Sequence, residues 1–224
     1  MRPKYILLIL FCALFNSNTF ADEYADKLEK IVNEYYSLGL FSGNVLIAKD
    51  GSIIFEKQYG FADWEKKTPV TAETLFRIGS LNKLFTLTMI KQLEKENKLS
   101  MDDQLSKYLD MYPPETGDKI TIKLLAEMKA GLGDYLNNPE FNKNRDRFKT
   151  VNDFLEIIKN EPLLFEPGTG QEYSNSGYVV LGGIIEKATG KSYTENLKER
   201  ILTPLGLNNT HYLLIGEFVP NMAN

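Results

Sequence analysis

Cysteine, histidine and tryptophan each occur once in the 224-residue chain, as Cys12, His211 and Trp64. One cysteine rules out an internal disulfide and a cysteine-rich zinc site. One histidine rules out a multi-histidine metal site, and a Ser-His-Asp triad would have to use His211. That residue follows an Asn208-Asn209-Thr210 turn and reads as a surface-loop side chain. Trp64 reads as a packing residue. A basic excess is missing too: 26 Lys and Arg face 30 Asp and Glu, for a formal net charge of -4. A mildly acidic chain is a poor match for a phosphate backbone, so nucleic acid is not an expected partner. No internal repeat stands out, and neither does an apolar run long enough to span a bilayer.

The composition is that of a globular protein, 43% hydrophobic and 25% charged. The N-terminus differs from the rest. Arg2 and Lys4 precede the apolar run Ile6 to Phe15; polar Asn16 to Asn18 and small Thr19 and Ala21 follow. This pattern predicts a secretory signal peptide over residues 1–21 and a domain over 22–224, exported to the periplasm or secreted, with no stable membrane span after cleavage. Removal of the leader would also remove Cys12.

Apolar spacing predicts helices over Glu23–Leu38, Ser80–Asn97, Ile120–Lys129, Val151–Lys159, Gly177–Ala188 and Tyr193–Leu202. Two β-rich runs flank Asp50-Gly51, the signature of a tight hairpin. A lone hairpin is not stable in water and needs more strands or a packed helix. Tyr212 to Ile215 is the one further strand candidate. The charged stretch Lys91 to Lys98 reads as a solvated helix face.

Ser80-Leu81-Asn82-Lys83 places a hydroxyl and an amine three residues apart at a predicted helix start, so both share one face. A serine hydroxyl becomes a nucleophile when a neighbouring base takes its proton, and free N–H groups at a helix start can hold a developing oxyanion. A capping serine followed by a solvated lysine has the same spelling, so the tetrapeptide decides nothing alone. In an extended Tyr173-Ser174-Asn175, the phenol and the amide would project to one side. Tyr135-Leu136-Asn137 matches the same pattern. Gly190-Lys191-Ser192 resembles the end of a phosphate-binding loop, but Ile185 stands where that motif needs glycine.

Context adds what each motif lacks alone. Phe76-Arg-Ile-Gly-Ser-Leu-Asn-Lys-Leu-Phe-Thr86 resembles the nucleophile segment of class C β-lactamases, D,D-peptidases and related esterases. Gly168-Thr-Gly-Gln-Glu-Tyr-Ser-Asn-Ser-Gly177 is similar to their Tyr-x-Asn segment. Leu99 to Leu109, Ile120 to Leu125, Ile185 to Tyr193 and Pro204 to Thr210 match in the same order, so the likeness runs from about residue 24 to 215. It implies an α+β, β-lactamase/transpeptidase-like fold: an antiparallel sheet flanked by helices, plus a mostly helical region. It implies Ser80 as the acylated nucleophile, Lys83 and Tyr173 sharing the base and acid roles, and Asn175 orienting a substrate amide. The choice of base between Lys83 and Tyr173 stays open. The implied substrate is a β-lactam, a D-Ala-D-Ala cell-wall peptide or a small ester, with no metal and no cofactor.

Two departures stand out. The family's third motif, Lys-Thr-Gly or His-x-Gly on a C-terminal strand, has only Lys187-Ala188-Thr189-Gly190 as a counterpart. That segment reads as a helix end with Gly190 as its cap. The C-terminal strands are not found either, so the chain reads as the first part of a longer protein. A non-catalytic envelope binding module or an inactive truncated family member is the alternative. Met128-Lys-Ala-Gly-Leu132 also replaces the family's His-Thr-Ser-Gly-Leu.

Overall fold

A computed structural model describes residues 18–214 and 216–224, with side chains from Tyr24 onward. Most of the predicted leader lies outside the described residues. The expected region 22–224 divides into two compact units, one of residues up to Phe76 with Val219–Asn224, the other Arg77–Phe218.

In the first unit, helix α1 (Asn18–Ser37) precedes strands β1 (Gly43–Lys49) and β2 (Ser52–Tyr59). The strands pair antiparallel from Gly43↔Tyr59 to Lys49↔Ser52, leaving Asp50 and Gly51 as the whole turn. Their φ values of 51° and 78° are the two left-handed positions that a tight hairpin turn requires. The register slips between Ile47 and Ala48, which leaves Ile54 as the bulged residue of β2. α1 supplies the packed helix that the hairpin needs: Glu29 pairs with Lys57, and the Tyr36 and Tyr59 rings meet at 5.7 Å. Two short strands, β3 (Phe61–Asp63) and β4 (Thr68–Pro69), form a second antiparallel pair. Residues 221–224 return to this unit, with Leu75 N–H donating to Asn221 O and Asn224 N–H to Ala62 O.

The second unit is helical. A 3-10 turn, Gly79–Asn82, leads into α2 (Lys83–Lys95). Next come α3 (Pro114–Gly117), α4 (Ile122–Ala126), α5 (Pro139–Lys143) and α6 (Val151–Ile158). α7 (Asn175–Thr189) and α8 (Tyr193–Leu197) complete the set, with a π turn over Lys198–Leu202. α7 is the central rod. Its Val180, Leu181, Ile184 and Ile185 are fully buried together with Met89, Ile90 and Leu93 of α2 and Ile122 and Leu125 of α4. Capping boxes start α6 (Thr150 with Asp153) and α8 (Ser192 with Glu195). α7 ends as the sequence predicts, with Gly190 in the left-handed region at φ 70°.

One expectation is corrected. Residues 212–214 form no strand. Leu214 N–H donates to the Glu217 carboxylate, and Glu217 N–H returns to Leu214 O. The local backbone bonds are therefore spent on a turn and not on a ladder. Among the described residues no helix is long and apolar enough to cross a membrane.

Candidate active site

Every side chain of this site belongs to the helical unit. Ser80 sits in the 3-10 turn, and Lys83 is the first residue of α2, one turn further on. The spacing does what a helical i, i+3 pair should: Lys83 Nζ donates to Ser80 Oγ at 3.2 Å. Ser174, in extended conformation, caps α7 by accepting from Gly177 N–H at 3.1 Å and donates to Gly133 O at 2.7 Å. That buried cap fixes its two neighbours. Tyr173 OH lies 2.5 Å from Ser80 Oγ, and Asn175 Oδ1 accepts from Lys83 Nζ at 2.6 Å. All four predicted residues therefore meet.

Lys83 donates to two oxygens, Ser80 Oγ and Asn175 Oδ1, and its ammonium lies 4.9 Å and 5.3 Å from the ring centres of Tyr173 and Tyr178. The neighbouring Lys83 is the largest cause holding the Tyr173 phenol below its ordinary range, and the hydrogen bond with Ser80 adds to it. Ser80 and Tyr173 are both exposed.

Asp134 was not singled out in the sequence. Its Oδ2 accepts from Asn175 Nδ2 at 2.7 Å and from Asn175 N–H at 3.4 Å; its Oδ1 accepts from Leu136 N–H at 3.0 Å. The one available signal was its position as the cap of the Tyr135–Asn137 turn. The second Tyr-x-Asn match is spent on packing: the Tyr135 ring lies on Phe141 and Phe154, each at 5.0 Å. The departing segment Met128 to Leu132 lies against the site's backbone. Met128 O accepts from Glu172 N–H at 3.0 Å, and its sulfur accepts from Ser174 N–H at 3.5 Å. His211 is exposed in a loop, and Lys187 to Gly190 is a helix end. Among the described residues no three His, Cys, Asp or Glu side chains gather as metal ligands.

A family model described as Beta-lactamase matches residues 25–215. The chain is 36% identical over 172 residues to penicillin-binding protein 4* of Bacillus subtilis (strain 168), covering 76% of this chain and 38% of that protein. It is 33% identical over 187 residues to the teichoic acid D-alanine hydrolase of Staphylococcus aureus, covering 84% of this chain and 45% of that protein. A solved penicillin binding protein from Bacillus halodurans superposes with a TM-score of 0.77 at 28% identity, over 88% of this chain and 59% of that one. The chain thus spans less than half the length of either of these two curated relatives.

Proposed function

The chain belongs to the beta-lactamase family, and on that premise we propose that it acts as an exported serine hydrolase working through an acyl-enzyme at Ser80. The observation that carries this reading is the convergence on Ser80 Oγ of the Tyr173 hydroxyl at 2.5 Å and the Lys83 amine at 3.2 Å. Lys83 donates to Ser80, which leaves the serine's own proton free to point at the Tyr173 oxygen. A phenol of lowered pKa is easier to find as phenolate, so Tyr173 is the nearer and better-prepared base.

In the proposed reaction, Ser80 Oγ bonds to a carbonyl carbon while its proton passes to Tyr173. Collapse of the tetrahedral centre breaks the C–N or C–O bond, and the leaving group takes that proton. Water then repeats the sequence and frees the acid. The Ser80 backbone N–H supplies one oxyanion donor, and Asn175 orients the substrate's amide. Substrates of this class carry an acyl carbonyl open to attack by the serine: a strained β-lactam, a D-alanyl peptide or a small ester. The relative named as a D-alanine hydrolase supports a D-alanyl acyl group among these. Export is supported by the basic start and the apolar run Ile6 to Phe15.

Intact-mass spectrometry tests the reading. The chain is incubated with a fluorescent penicillin and, separately, with a fluorophosphonate, beside Ser80→Ala. One adduct on the wild type and none on the variant is the expected outcome. An unmodified, folded wild type with both probes would defeat it.

A further inference from the structure

The Asn175 amide faces two charged groups at once, Lys83 Nζ at 2.6 Å and Asp134 Oδ2 at 2.7 Å. An ammonium only donates and a carboxylate only accepts, so one orientation of the amide satisfies both. Its NH2 must face Asp134, and its oxygen must then face Lys83. A flipped amide would set NH2 against the ammonium and oxygen against the carboxylate, two repulsive contacts at once. Lys83 in turn reaches Ser80 from that anchored position.

We propose that Asp134 is a positioning residue: its carboxylate locks the Asn175 amide and through it holds Lys83 against Ser80 and Tyr173. The chain of contacts is Asp134 to Asn175 to Lys83 to Ser80. A carboxylate is specifically suited to the first link because two donors converge on it, Asn175 Nδ2 on one oxygen and Leu136 N–H on the other. An asparagine there has the same shape and only one acceptor oxygen. Either it serves Leu136 and turns its own NH2 on the amide of Asn175, or it serves Asn175 and turns NH2 on Leu136 N–H. The locking partner also comes from a rigid place, since Asp134 caps the Tyr135–Asn137 turn, and the buried Ser176 hydroxyl accepts from Tyr135 N–H at 2.9 Å. Reacting groups lose rate steeply when their supporting hydrogen bonds are left loose.

This inference rests on Ser80 being the nucleophile, and the test separates the two. The fluorophosphonate labelling rate is measured for the 224-residue chain and for Asp134→Ala, Asp134→Asn, Asn175→Ala and the double variant Asp134→Ala/Asn175→Ala. Thermal midpoints are taken alongside. Asp134→Ala is expected to slow labelling roughly ten- to a hundredfold. Asp134→Asn should slow it less but clearly. The double variant should label no more slowly than Asn175→Ala alone, because the carboxylate acts only through that amide. A purely structural role would lower the thermal midpoint and multiply with the Asn175→Ala loss. Labelling of both Asp134 variants at the wild-type rate, or multiplicative losses in the double variant, would overturn the inference and leave Ser80 standing. An inert wild type would defeat the Ser80 assignment, and the inference with it. Asp134→Asn keeps the side-chain volume, so the comparison holds even where alanine fails to fold.

Discussion

Tyr173 and Lys83 sit side by side at Ser80, and their charges are coupled. A cation favours a phenolate, so Lys83 holds the Tyr173 proton affinity below the ordinary tyrosine value. Removing the cation removes the largest cause of that shift. The fluorophosphonate labelling rate of the wild type should therefore rise with pH around a midpoint below about 10. In Lys83→Met the midpoint should move upward, with part of the lost rate returning at alkaline pH. Tyr173→Phe should lose about 10²- to 10⁴-fold at alkaline pH and should lose the rise with pH as well. A midpoint that stays put or falls in Lys83→Met would take the base role away from Tyr173. Family resemblance singled these residues out where their spacings alone did not, although the spacings are local: three positions along a helix start for Ser80 and Lys83, two for Tyr173 and Asn175. Asp134 stands 41 positions from the amide it holds, and no local pattern announces a contact of that range.

At the scale of elements, the segment Met128–Asp134 and the helix α7 frame the site, and a glycine in each meets a different amount of free space. Gly131 has φ 77°, and a Cβ there would fall 2.2 Å from the carbonyl oxygen of Phe165. A backbone oxygen has no rotamer by which to leave. Gly182, in mid-α7, is different: a Cβ would meet the Tyr193 ring at 3.4 Å, an ordinary contact. Gly131→Ala should destabilise by roughly 2 kcal/mol or more. Gly182→Ala should be neutral or stabilising by up to about 1 kcal/mol, because alanine is the better helix former. Urea melts of the two variants check the contrast; equal losses would mean that the 131–165 approach is not a constraint. Periodicity found the longer helices where their buried stripes are continuous, as with Val180, Leu181, Ile184 and Ile185, and did not find the short α3 and α5. It missed their ends, where the 3-10 turn before α2 and the π turn after α8 alter the hydrogen bonding without altering the apolar pattern. The hairpin was readable from Asp50-Gly51 between two β-rich runs. Residues 212–214 have strand propensity but form no strand, because Leu214 N–H is spent on the Glu217 carboxylate.

At the scale of the whole molecule, the entire Ser80 cluster lies within the unit Arg77–Phe218, so the stability of that unit governs the site. One long-range ion pair ties its early and late parts: Arg200 donates to both oxygens of Glu96, at 2.7 and 3.2 Å, from 104 positions away. The Arg200 hydrogen bonds, with help from Lys98, pull Glu96 down from 4.5 to about 2. A carboxylate whose folded pKa is depressed stabilises the fold above its unfolded value and loses that contribution as pH falls through the folded one. The contribution should thus be whole above about 4.5 and gone near 2. The pair is partly exposed, so it should also weaken with salt. Arg200→Met keeps much of the stem's packing and removes the charge. Its thermal midpoint should lie below the wild type's at pH 7, and the gap should narrow as pH drops from about 4.5 towards 2. Arg200 Nε also donates to the buried Asn196 at 3.1 Å, a bond that does not titrate. A gap that stays constant across that range would assign the loss to that bond, and the Glu96 pair would carry no measurable stability.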